Sequence, residues 1–105
     1  MVTKNKEYLT NLTKDNFEEV KNSEKVVLLD FYADWCGPCM MLAPVIDELC
    51  AEYPDVKFCK INVDEEGELA KSFGIYSIPT LVVLKEGKVA EVSVGARPKP
   101  HILKM

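Results

Sequence analysis

The strongest constraint on the fold is a nearly continuous apolar run at residues 26–32. The run is rich in Val, Leu and aromatic residues, as is typical of a strand that is covered on both faces. Asp30 is the one charged residue inside it. A strand buried on both sides belongs in a sheet with helices packed against each face, which predicts the α/β class.

Four more strands are predicted from runs of strand-forming residues, at 7–10, 56–63, 80–85 and 88–94. The last two are joined by Glu86-Gly87, a two-residue hairpin turn. Residues 90–94 of the final strand alternate between apolar and polar side chains. With the buried strand, these segments predict a mixed sheet of about five strands.

Helices are predicted between these strands. Residues 38–53 carry apolar side chains at helical spacing, and Pro44 is expected to kink this helix without ending it. Thr13 is expected to cap an earlier helix that ends near Asn22, and Gly74 to stop a short helix before the hairpin. The alternation of strands and helices predicts right-handed parallel crossovers, with the functional site at the carboxyl end of a strand.

Charge and hydropathy exclude several classes of function. The 17 Asp and Glu outnumber the 13 Lys and Arg, and the single Arg97 leaves no cationic stripe for phosphates, so we expect no nucleic-acid binding. No apolar run approaches the ~20 residues that cross a bilayer, and no leader-like segment is visible, so we expect a cytoplasmic protein without a membrane partner. The length leaves room for one domain, 1–105.

The four cysteines are unevenly spaced: Cys36 and Cys39 form a C-x-x-C pair, whereas Cys50 and Cys59 stand alone. The pair lies where the buried strand ends and the long helix begins. The unpaired N–H groups and the positive dipole end of that helix therefore stabilise a thiolate on Cys36. Side chains three apart on a helical turn are also close enough for a disulfide to open and close.

A C-x-x-C pair alone favours redox chemistry and zinc binding about equally. A structural zinc site needs four ligands, and the other candidates do not converge on the pair. His101 lies near the C-terminus, and Cys50 and Cys59 fall in predicted core elements. We interpret these two cysteines as small apolar residues, with regulatory oxidation as the alternative. Redox chemistry is therefore favoured and no metal is expected, while zinc bound between two copies stays open as an alternative.

Several further motifs follow in order: Trp35-Cys36-Gly37-Pro38-Cys39 after the strand that holds Asp30, then Gly74-Ile75, Ile78-Pro79-Thr80 and Val94-Gly95-Ala96. Together they resemble the thioredoxin family over residues 7–97. The resemblance implies a thioredoxin fold and a dithiol–disulfide oxidoreductase that reduces disulfides in client proteins. It also implies a monomer without a bound cofactor that is recycled by a thioredoxin reductase.

The resemblance assigns roles to individual residues. Cys36 would be the exposed nucleophile, and Cys39 the buried thiol that resolves the mixed disulfide. Asp30 would accept the proton of Cys39; burial would raise its pKa, and its partner Lys60 would oppose that rise. The Ile78–Pro79 bond would be cis. A shallow patch for an extended client segment would be framed by Trp35, Gly37, Pro38, Ile78, Pro79, Gly95 and Ala96.

The sequence departs from the family pattern in three places. Met40 stands where relatives usually carry Lys or Arg, and Tyr32 where many have a second Trp. Pro98 and Pro100 leave room for only a shortened C-terminal helix, which predicts a smaller free energy of unfolding with unchanged chemistry. A non-enzymatic binding protein that uses the patch around Trp35 stays open as a further alternative.

Overall fold

The computed structural model describes residues 9–105. The strands in this part of the chain are β1 (Leu9–Asn11), β2 (Val26–Tyr32), β3 (Val56–Asn62), β4 (Thr80–Lys85) and β5 (Lys88–Val94). The helices are α1 (Phe17–Lys21), α2 (Gly37–Glu52), α3 (Gly67–Ser72) and α4 (Lys99–Leu103).

The strands form one mixed sheet in the order β1-β3-β2-β4-β5. The apolar run is the central strand β2, which is parallel to β3 and antiparallel to β4. Within it, Asp30 is paired with Lys60 of β3 on one side and Leu81 of β4 on the other. The predicted α/β class and the mixed sheet of about five strands are therefore confirmed.

Alternate residues of β2 supply two hydrophobic clusters, one on each face of the sheet. Leu29 and Phe31 pack in the cluster that contains residues of α1 and α3. Leu28 packs in the other cluster, with residues of α2 and with Ile102 of α4. This two-sided burial explains why the strand reads as a continuous apolar run instead of an alternating one.

Most predictions of local structure are confirmed. The long helix α2 continues through Pro44, and Gly74 follows α3 with a φ of +68°. Glu86 and Gly87 have φ values of +54° and +78°, as a two-residue hairpin turn requires. The strand predicted at 7–10 is observed as β1, Leu9–Asn11. Residues 7 and 8 of that prediction lie outside the described part of the chain.

The predicted cap of the first helix is wrong. That helix, α1, begins at Phe17, and Asn16 precedes it without a side-chain cap. The Thr13 hydroxyl instead accepts a hydrogen bond from the Asp15 N–H, and the Asn16 side-chain oxygen accepts one from the Thr13 N–H. These local bonds form a separate turn, so the helix starts one turn later than the capping pattern indicates.

The edge strand β5 buries a polar residue of its alternating pattern. Val92 and Val94 are exposed, whereas Ser93 is buried. The Ser93 hydroxyl is within hydrogen-bond distance of Nε2 of His101 on α4, at 3.2 Å. The alternation in the sequence identifies the strand, but the position of α4 decides which face of it is covered.

The C-terminal helix α4 has five residues, which confirms the predicted shortening. Lys99 at its start forms ion pairs of 2.9 Å with Glu48 and with Glu52 of α2. Ile102 is its buried side chain and packs against the sheet. A crevice of about 190 Å³ with a mainly aliphatic lining lies beside Ile102 and Leu103.

We expect Ile102→Ala to lower the free energy of unfolding by roughly 2–4 kcal/mol, because it removes the buried anchor of α4. Urea unfolding of the oxidised protein measures this change. Leu103→Ala is the matched control, because Leu103 is 48% exposed, and we expect it to cost less than about 1 kcal/mol. Equal losses in the two variants would contradict the assignment of Ile102 as the anchor.

Candidate active site

Cys36 and Cys39 form a disulfide at the start of α2, with their Cα atoms 5.2 Å apart. Cys36 is the N-cap residue, with an extended backbone, and its Sγ accepts a hydrogen bond of 3.2 Å from the Cys39 N–H. The cap position holds this sulfur against the unpaired N–H groups of a 16-residue helix. The same position stabilises a thiolate on Cys36 once the disulfide is reduced.

The expected contrast between an exposed Cys36 and a buried Cys39 is absent from this disulfide form. The two residues are 4% and 3% exposed. Both sulfurs belong to one small cluster with Ala33, against which Val63 and Ile78 pack. What distinguishes the two cysteines is their surroundings, because Cys39 also lines a cavity that is partly open to the surface.

This cavity joins Cys39 to Asp30. It has a volume of about 130 Å³, which is enough to hold water. Its lining residues are Leu9, Asp30, Tyr32, Cys39, Met40, Ala43, Ile46, Asp47 and Lys60. Asp30 was predicted to lie in a buried strand, and the structure brings it to the same cavity as the second cysteine.

The Asp30 carboxyl is held in an unusual environment for an acid. It is 7% exposed, and its Oδ1 has no hydrogen-bond partner among residues 9–105. Burial raises the pKa of Asp30 to about 7, and the positive charge of Lys60 lowers it by a smaller amount. Near neutral pH this carboxyl can therefore both accept and release a proton.

Lys60 acts on Asp30 through space. The two residues are paired across β2 and β3, but no salt bridge joins their side chains. Lys60 Nζ lies instead over the ring of Tyr32, 5.4 Å from its centroid. Tyr32 lies two residues after Asp30 on β2, so both face the same cavity.

The peptide bond between Ile78 and Pro79 is cis, as the resemblance implies. Pro79 is fully buried, and its carbonyl accepts a hydrogen bond of 2.8 Å from the Gly95 N–H. Ile78 packs against the cysteine cluster, and its backbone N–H and C=O form no hydrogen bond within the described residues. The structure therefore places Ile78 of the expected patch beside the disulfide and joins Pro79 to Gly95.

The other members of the expected patch are exposed: Trp35, Gly37, Pro38 and Ala96. Trp35 is 72% exposed, and its Nε1 donates a hydrogen bond of 2.8 Å to the Asp64 carboxylate. Asp64 was not predicted, since one acid within an acidic stretch carries no signal of such a contact. Tyr76, in the loop before Ile78, is 92% exposed, and a lone aromatic residue in a loop gives no periodic signal by which the sequence could predict this.

The two isolated cysteines lie apart from this site as buried, unpaired thiols. Burial raises the pKa of Cys59 to about 12 and also raises that of Cys50. Within residues 9–105, no three or more His, Cys, Asp or Glu side chains cluster closely enough to hold a metal ion. In the same range, no helix has the length and apolar character needed to span a membrane.

The comparisons with known proteins agree with this geometry. The thioredoxin family model matches residues 8–105. The chain is 52% identical to Thioredoxin 2 of Chlorobaculum tepidum over 94 residues, which cover 88% of this chain and 86% of the relative. It is 55% identical to the thioredoxin of Bacillus subtilis over 86 residues, which cover 81% and 83% of the two chains.

Solved structures show the same likeness. A mutant thioredoxin from Halobacterium salinarum has a TM-score of 0.86 and 38% identity, and the alignment covers 91% of this chain and 85% of that one. Oxidised mitochondrial thioredoxin 3 from Saccharomyces cerevisiae has a TM-score of 0.84 and 36% identity, with 95% and 93% covered.

Proposed function

This chain belongs to the thioredoxin family and is a thiol–disulfide oxidoreductase, and we propose that Cys36 is the nucleophile with which it attacks disulfides of client proteins. The observation that carries the proposal is the cap position of Cys36. Its sulfur receives the Cys39 N–H at the start of a long helix. A thiol in this position is more acidic than an ordinary cysteine, and exchange requires the thiolate.

In the first step, the Cys36 thiolate of the reduced protein attacks one sulfur of the client disulfide. A bond forms between Cys36 and that sulfur, while the client disulfide breaks. The second client sulfur leaves as a thiolate and takes a proton from solvent. The product is a mixed disulfide that covalently joins the protein to its client.

In the second step, Cys39 gives its proton to Asp30 and attacks the sulfur of Cys36. The Cys36–Cys39 disulfide forms, and the remaining client sulfur leaves as a thiolate. Two electrons have then passed from the dithiol to the client. The shared cavity supports this role of Asp30, and a pKa of about 7 suits a proton acceptor at neutral pH.

The surface beside the disulfide is suited to an extended client segment. The unpaired backbone N–H and C=O of Ile78 can form strand-like hydrogen bonds with such a segment. The exposed ring of Trp35 and the exposed residues Gly37, Pro38 and Ala96 offer apolar contact around it. Pro79 and Gly95, joined by a backbone hydrogen bond, support the base of this patch.

The oxidised product must be reduced again after each turnover, so we also propose that a thioredoxin reductase serves as the electron donor. A reducing compartment such as the cytoplasm maintains the dithiol form, and it also maintains the free thiols of Cys50 and Cys59. In this proposal the chain works as a monomer, and the two active-site cysteines carry the electrons without a bound cofactor.

A trapping experiment tests the order of the two cysteines. In Cys39→Ser, the mixed disulfide cannot be resolved from within, so an oxidised model client should remain attached to Cys36. A non-reducing gel and mass spectrometry of the linked peptides measure the captured fraction. The matched variant Cys36→Ser should capture almost none. Capture on Cys39 at a comparable yield would reverse the proposed assignment.

A further inference from the structure

The Lys60 ammonium contacts one side-chain partner among residues 9–105, the ring of Tyr32. Its Nζ lies 5.4 Å from the centre of the Tyr32 ring, within the range of a cation–π contact. None of the hydrogen bonds or salt bridges formed by residues 9–105 involves Nζ. Lysine has four rotatable side-chain bonds, so an ammonium without this ring can move toward solvent.

The charged groups around the Lys60 ammonium come from several elements of the fold. On β2 it faces Asp30, and across the cavity α2 contributes Asp47 and the Cys39 sulfur. Asp34 and Glu65, both exposed in neighbouring loops, lie within electrostatic range of the Tyr32 hydroxyl. Asp47 lines the same cavity as Lys60 and Asp30, so the direction in which Lys60 points decides how strongly its charge acts on Asp30.

The Tyr32 hydroxyl stays neutral over the pH range in which Asp30 titrates. Burial, followed by the charge of Asp34, raises the pKa of the Tyr32 hydroxyl above its usual value of 10.0. The neighbouring Asn62 side chain opposes that rise. The ring therefore keeps the same charge between pH 5 and pH 9, roughly the range in which an acid with a pKa near 7 changes its protonation.

We propose that Tyr32 is a positioning residue whose ring holds the Lys60 ammonium beside Asp30 and thereby sets the pH range in which Cys39 resolves the mixed disulfide. The proposal rests on the proposed role of Asp30 as proton acceptor. It adds that the strength of this acceptor depends on a side chain that packs against the cysteine cluster but takes no part in the exchange itself. The effect passes from the Tyr32 ring to the Lys60 charge, and from that charge to the carboxyl.

The test compares Tyr32→Leu, which removes the ring, with Tyr32→Phe, which keeps it. We expect the pKa of Asp30, followed by NMR of its labelled carboxyl carbon, to rise by up to roughly 0.7 in Tyr32→Leu, because the shift cannot exceed the energy of the exposed cation–π contact that is lost. The pH midpoint for decay of a preformed mixed disulfide should rise equally. In Tyr32→Phe both values should stay within about 0.2 of the parent.

A double variant separates this path from a general change in burial. In the Lys60→Met background, Tyr32→Leu should shift the Asp30 titration no further, because the cation has already been removed. An additional shift in the double variant, or no shift in Tyr32→Leu alone, would overturn the positioning role. The proposed role of Asp30 has a separate test. If the decay of the mixed disulfide in Asp30→Asn had the same pH dependence as in the parent, Asp30 would be excluded as the proton acceptor. The titration of the Asp30 carboxyl in the Tyr32 variants would still report on the role of Tyr32.

Discussion

Cys36→Ser is expected to lower the rate of protein-disulfide reduction by roughly 10³-fold or more, because a serine hydroxyl cannot take part in thiol–disulfide exchange. The structure predicts so large a loss because Cys36 alone combines the cap position with the hydrogen bond from the Cys39 N–H. Single-turnover reduction of an oxidised model protein by the fully reduced variant, followed by quenched thiol labelling, measures the rate.

The remaining cysteines provide the matched controls for this loss. Cys50 and Cys59 are buried in the hydrophobic clusters, outside the cavity and the disulfide. We expect Cys50→Ala and Cys59→Ala to retain activity within about twofold, while losing some stability through a small cavity. A Cys36→Ser protein that keeps a tenth or more of the parental rate would mean that the chemistry occurs elsewhere.

Asp30→Asn is expected to raise the free energy of unfolding at pH 8 by up to roughly 4 kcal/mol, because burying the carboxylate is unfavourable. The pKa of Asp30 is about 7 in the folded protein, against 3.8 for an ordinary aspartate. Between these values the folded state binds more protons than the unfolded state. This contribution to the stability of the native protein therefore falls as pH rises from about 4 to about 7, and then levels off.

Urea unfolding of the oxidised proteins between pH 4 and pH 8 measures this difference. The gain in Asp30→Asn over the parent should be small near pH 4, where Asp30 is protonated in the fold, and should be complete near pH 8. Asp47→Asn serves as the control because Asp47 lines the same cavity but is only half-buried. We expect it to change stability by less than about 1 kcal/mol. A constant gain at every pH would rule out a buried, titrating Asp30.

The burial of Asp30 is a compromise between stability and the proposed chemistry. A charged residue in the centre of a buried strand costs stability at neutral pH, and the same burial raises the pKa of Asp30 to about 7, which suits the proton transfer from Cys39 that we propose. Local rules of protein stability are often broken at functional sites, since the chemistry requires an unfavourable group. The charged position within an apolar run was therefore the most informative irregularity in the sequence.

Local patterns predicted much of the fold because they arise from neighbouring residues. The bounds of β4 and β5 agree with the prediction, since the positive-φ turn at Glu86 and Gly87 separates two runs of strand formers. The error at Thr13 has a local origin too, because its side chain can cap either a turn or a helix, and the sequence does not distinguish them.

The sequence by itself determined the α/β class, the order of the elements and the cysteine pair at a helix start. Each of these follows from periodicity or from residues adjacent in the chain. Only the tertiary structure decided that both cysteines are buried in the disulfide form, that Cys39 shares a cavity with Asp30, and that the Lys60 ammonium lies over the Tyr32 ring. These contacts depend on how separate elements pack, and side-chain packing across a sheet leaves no periodic signal along the chain.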